Sequence, residues 1–121
     1  AGHPAPLLIS PKNITKLSAG GVLPGLLPDA HYQSTQINVK HGERIALYTD
    51  GLFESAKDNN TRNKLESCIT TSLFQTRNMP IDQSMQQTIK LFDELTGSQP
   101  CDDALLILLE PQAEVPLNIN N

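Results

Sequence analysis

Tryptophan is absent, and tyrosine and phenylalanine are scarce at 2 and 3 residues. That leaves little aromatic surface for stacking bases. The 9 lysines and arginines are scattered among 13 acidic residues, for a net charge of −4. Without a basic patch or an aromatic platform, a nucleic-acid surface is not expected. Long apolar runs are missing too: the longest, residues 104–109, is far short of the roughly twenty residues a membrane-spanning helix needs. Cysteine is limited to Cys68 and Cys101, too few and too far apart for a disulfide framework or a Cys-x-x-Cys site. Free thiols in a reducing compartment are the expectation. The opening residues lack a basic start followed by an apolar core, so no secretory signal is read and a cytoplasmic location is expected.

A chain of 121 residues is one domain, or part of one. Residues 45–49 are mostly apolar, β-branched or aromatic and read as a buried strand. Asp50 follows immediately, and Gly51 permits a sharp turn. Before it, residues 5–10 and 14–18 read as a hairpin, residues 19–30 as a Gly- and Pro-rich loop, and residues 32–39 as an alternating strand. Arg44 is expected at the surface, and the polar run 57–63 as a surface loop. From about residue 64 the period becomes helical, with Leu65, Ile69 and Leu73 on one face. Pro80 starts a second helix with the stripe Ile81, Met85, Thr88, Ile89, Phe92 and Leu95, closed by Gly97. Both stripes are expected to be core. Residues 104–109 are apolar throughout and read as a strand covered on both faces. The reading is an α/β (α+β) fold with mostly antiparallel strands and a two-helix hairpin between the last two. Residues 1–111 form the domain, and 112–121 a flexible tail.

Two helices joined by a short turn pack antiparallel, so the chain returns near the point it left. The strand 104–109 should therefore run against 45–49, bringing Asp102 to the edge that carries Asp50. Adjacent strands lie roughly 5 Å apart, which puts both carboxylates within reach of one ion. Paired carboxylates repel unless a cation or a proton intervenes. Oxygen donors of this kind suit Mg²⁺ or Mn²⁺ better than zinc, since His3, His31 and His41 have no ligand-like spacing. The other reading of the same residues, two aspartates that cap turns, stays open on spacing alone.

The segments AGHPAPLL (residues 1–8), GGVLPGLLPDAHY (20–32), GERIALYTDGLFE (42–54) and DDALLIL (102–108) resemble, in order and spacing, the SpoIIE-type branch of the metal-dependent (PPM) protein phosphatases. The resemblance implies part of an α-β-β-α sandwich with a binuclear Mn²⁺ or Mg²⁺ centre. It implies Asp50 and Asp102 as metal-binding and catalytic positions, with Gly51, Asp103, Glu54 and His3 as supporting ones. It also implies hydrolysis of phosphoserine or phosphothreonine by a metal-activated water, with no protein nucleophile. A bacterial signalling regulator, such as an anti-sigma-factor antagonist, is the implied substrate, and an upstream sensory or receiver domain the implied neighbour. The family's first metal-binding aspartate matches nothing here and would precede Ala1, so this piece alone is expected to be inactive. The alternative is a non-catalytic interaction module on an incomplete phosphatase fold.

Overall fold

The structure, a computed structural model, describes residues 3–18, 20–54, 58–97 and 103–113. Strands β1 (Leu7–Ile9), β2 (Ile14–Lys16), β3 (Arg44–Tyr48) and β4 (Leu106–Leu109) form one antiparallel sheet in the order β2-β1-β3-β4. Between β3 and β4 come a single turn of helix, α1 (Gly51–Glu54), and two long helices, α2 (Asn59–Gln75) and α3 (Ile81–Thr96). The expected hairpin, the central strand and the antiparallel pairing of the last strand on it are all present. β1, β2 and β4 are shorter than the runs read for them, and β3 keeps its length but starts one residue earlier, at Arg44.

Alternation along the strands decides which side faces the helices. Leu7, Ile9, Ala46, Tyr48 and Leu108 are buried together with Leu65, Ile69, Leu73 and Phe92 of the helix pair. The other side of the sheet carries Leu8, Ile45 and Leu47, set against Leu109 and Ile107 by the register. It is not covered: Ile107 is 39% and Leu109 50% exposed. The expectation that β4 is covered on both faces is therefore corrected. An unbroken apolar run shows that both faces avoid water, but it cannot supply the second layer.

Residues 32–39 form no strand, although they alternate as one. A strand exists only through a partner's hydrogen bonds, and no ladder pairs this segment. The polar run 57–63 is corrected in the opposite sense, because α2 already begins at Asn59. Asp58 is its N-cap, accepting the Thr61 backbone N–H at 2.7 Å. That bond holds the exposed Asp58 carboxyl below its ordinary range and satisfies a donor that the helix start leaves open.

In α3 the buried line is Ser84, Thr88 and Phe92, with Ile81 and Met85 half-buried. Ile89 and Leu95 are exposed, contrary to the expected stripe. Small hydroxyl side chains let the helices approach. Ser72 Oγ bonds Thr88 Oγ1 at 3.1 Å, and Thr76 Oγ1 bonds Ser84 Oγ at 2.5 Å. Gly97 ends α3 in the left-handed conformation at φ 71°, as a C-terminal glycine should.

Arg44 is buried, not at the surface. Its Nε donates to Glu110 at 2.8 Å, one N–H to the Thr76 carbonyl at 3.3 Å, and another to the Met79 carbonyl. One guanidinium thus ties the start of β3 to the end of β4 and to the α2–α3 turn. A planar fork with five donors suits carbonyls left open at a helix end.

Candidate functional site

The site is built where β3 ends. Pairing with the last strand continues past Tyr48: Thr49 N–H donates to the Leu105 carbonyl at 3.0 Å, and Leu105 N–H donates to Thr49 Oγ1 at 2.9 Å. One residue further, the Asp50 carbonyl accepts from the Phe53 and Glu54 N–H groups at 2.9 Å each, starting α1. Beneath that turn, the Tyr48 and Phe53 rings meet edge to face with centroids 5.1 Å apart. Burial pushes the Tyr48 phenol above its ordinary range. The Asp50 turn therefore stands on a packed aromatic pair at the mouth of the central strand.

Gly51 is buried against the chain that leads into β4. A side chain there would collide with the Asp103 carbonyl oxygen. Only a hydrogen in place of Cβ allows this approach, and the approach brings the segment around Asp103 to the Asp50 turn. The out-and-back path of α2 and α3 thus returns the chain to the edge it left. Asp50, Glu54 and Asp103 are all exposed at this end. Asp102 lies outside the described residues.

His3 is exposed, on the segment entering β1. The register pairs Leu7 with Ala46, so the residues before Leu7 run toward the end of β3 that holds Asp50. No group of three or more His, Cys, Asp or Glu side chains that could hold a metal occurs among the described residues. Asp50 and Asp103 are carboxylate donors at an exposed edge, and oxygen donors of that type fit a hard divalent ion. Sequence reasoning missed Thr49, whose hydroxyl holds the two segments together. Its signal was a lone polar β-branched residue between Tyr48 and Asp50.

The family model described as Stage II sporulation protein E (SpoIIE) matches residues 1–112. Among solved structures, the chain is similar to the phosphatase domain of the cell fate determinant SpoIIE from Bacillus subtilis, determined after presoaking with Mn. The TM-score is 0.67 at 14% identity, over 95% of this chain and 50% of that one. The chain therefore spans about half the length of the solved domain. No curated protein matches its sequence.

Proposed function

Because this chain belongs to the SpoIIE family, we propose that it is part of a Mn²⁺- or Mg²⁺-dependent protein serine/threonine phosphatase, with Asp50 and Asp102 as metal ligands. The observation that carries the reading is the close approach of Gly51 to Asp103. It brings the main chain of Asp103 against the residue that follows Asp50.

When bound, the metal pair would activate a water for attack on phosphorus and neutralise charge on the phosphoryl oxygens. The chain's own contribution is positional. In this reading Asp50 and Asp102 would offer the oxygen donors, while Thr49 meets Leu105 and Gly51 meets Asp103 to join the two segments. Asp103 and Glu54 add negative charge at the same edge, and His3 enters from the β1 side. The remaining ligands would come from residues outside this sequence, so this piece alone is expected to turn over little.

The substrate in this reading is a phosphoserine or phosphothreonine protein of the anti-sigma-factor antagonist type. An upstream sensory or receiver domain would control the enzyme, in the bacterial cytoplasm. Hydrolysis of p-nitrophenyl phosphate with added Mn²⁺, by the intact phosphatase domain and its Asp50→Asn and Asp102→Asn variants, tests the assignment. Loss of turnover to background in both variants is expected. A variant that keeps the parent rate would remove that residue from the metal centre. A folded parent that binds its regulator but hydrolyses nothing would mark the chain as an interaction module.

A further inference from the structure

Thr49 stands one residue past β3, where the chain leaves the sheet, and its hydroxyl does there what a strand carbonyl does elsewhere. In the register of β3 on β4, Tyr48 faces Leu106, so Thr49 and Leu105 form the next pair. A hydrogen-bonded antiparallel pair exchanges two N–H···O=C bonds. One of the two has that form: Thr49 N–H donates to the Leu105 carbonyl at 3.0 Å. The Thr49 carbonyl accepts the Leu52 N–H at 3.1 Å and opens α1. The return bond of the pair runs instead from Leu105 N–H to Thr49 Oγ1, at 2.9 Å.

The same hydroxyl has a proton to give. It lies 3.5 Å from the Asp103 carbonyl oxygen, as donor in a long hydrogen bond. One side chain thus accepts from Leu105 and donates to Asp103, two points on the segment that enters β4. The main chain can turn away at Asp50 without releasing that segment. Gly51 permits the close approach of Asp103, and the Thr49 hydroxyl fastens it.

A metal centre built from two segments needs their separation held to within about 0.5 Å. Thr49 is bonded directly to Asp50, and Asp103 directly to Asp102. We propose that Thr49 is a positioning residue for the metal edge: its hydroxyl fixes the main chain at Asp103 and Leu105 beside the Asp50 turn and thereby sets divalent-cation affinity. The metal half of this statement rests on the phosphatase reading; the two-way hydrogen bond does not. The requirement is a hydroxyl, so serine serves at this position and valine, of the same shape as threonine, does not.

The test uses the intact phosphatase domain as parent, Thr49→Val, Thr49→Ser and Thr76→Val. Titration calorimetry with Mn²⁺ and no substrate should give Thr49→Val a Kd raised by about tenfold, as for lost partners that orient metal ligands. Thr49→Ser should stay within about twofold of the parent, well short of that loss. Thr76→Val removes buried bonds to the Ser72 carbonyl and Ser84, at the opposite end of the sheet from Asp50. It should lower the urea midpoint without moving the Mn²⁺ Kd, which separates positioning from general loss of stability. With p-nitrophenyl phosphate, the Thr49→Val defect should lie in the Mn²⁺ concentration for half-maximal rate more than in the rate at saturating Mn²⁺.

Amide exchange at Leu105, measured without metal, should quicken in Thr49→Val and not in Thr49→Ser. Circular dichroism checks each variant for folding, and Thr49→Ala replaces the valine variant should that one unfold. An unchanged Mn²⁺ Kd in Thr49→Val, or equal weakening by valine, serine and Thr76→Val, overturns the proposal. A parent that binds no Mn²⁺ overturns the phosphatase reading and the positioning role together. Leu105 exchange indifferent to Thr49→Val, in a parent that does bind Mn²⁺, overturns the hydroxyl link and leaves the phosphatase reading standing.

Discussion

The main chain of Asp103 lies so close to Gly51 that even a methyl group at residue 51 would strike the Asp103 carbonyl oxygen. This contact joins the two acidic segments, and it involves backbone on one side and a missing side chain on the other. Nothing flexible is available to give way.

Gly51→Ala should therefore push the Asp103 segment off the Asp50 turn. Overpacking of this kind costs about 1–3 kcal/mol, readable as a lower urea midpoint. If the proposed metal-dependent activity holds, turnover of the intact domain should fall further than stability alone explains, because the separation of the two acidic segments changes. Unchanged stability together with unchanged turnover would mean that the two segments do not need this contact.

Arg44 should be among the costliest polar positions in the chain. Arg44→Met keeps the aliphatic stem but takes their donor from the Met79 carbonyl and Glu110, while the Thr76 carbonyl keeps the Met79 N–H at 3.0 Å. Each unsatisfied buried group costs about 1–3 kcal/mol, so a total near 3 kcal/mol is expected by chemical denaturation. Glu110→Gln should cost about 1 kcal/mol or less, since Glu110 lies partly in solvent, where ion pairs are weak. Equal effects for the two variants would place the energy in the ion pair rather than in the carbonyl contacts.

The start of α2 should loosen in acid. The Thr61 backbone N–H holds the Asp58 carboxyl below its ordinary value. A depressed folded pKa contributes stability above the unfolded value, near 3.9. That contribution disappears as pH falls through the folded value. Amide exchange at Thr61 should therefore speed up on acidification below about pH 4. Asp58→Asn keeps a capping oxygen without a titrating charge and should flatten that dependence. An identical acid response in the variant would assign it to another group.

The uncovered face of the sheet should make this chain bind apolar dyes and self-associate. Ile107 and Leu109 stand exposed there beside Ile45 and Leu47. The double substitution Ile107→Lys and Leu109→Lys should reduce both behaviours in the isolated chain, by dye fluorescence and sedimentation. Stability should change by only about 0.5 kcal/mol per site, as at other exposed positions. In the intact phosphatase domain, the same pair should be far more damaging if further residues cover this face. Equal small effects in both settings would show that the face stays open.

Local sequence determined the parts that carry their own signal. The apolar spacing of Leu65, Ile69 and Leu73 marks a helix whatever surrounds it, and Gly97 marks its partner's end. The run before Asp50 marks a strand, and the short turn at Pro80 returns the chain, so the meeting of the two acidic segments follows from connection length. Tertiary structure decided what depends on a partner. Residues 32–39 alternate like a strand yet have no ladder to join. Ile107 and Leu109 look like core yet have no layer above them. Arg44 looks like a surface charge until Glu110 and two helix-end carbonyls surround it. Periodicity records which side of an element avoids water, but only the folded neighbours determine whether water is excluded there, because burial and hydrogen bonding belong to pairs of segments.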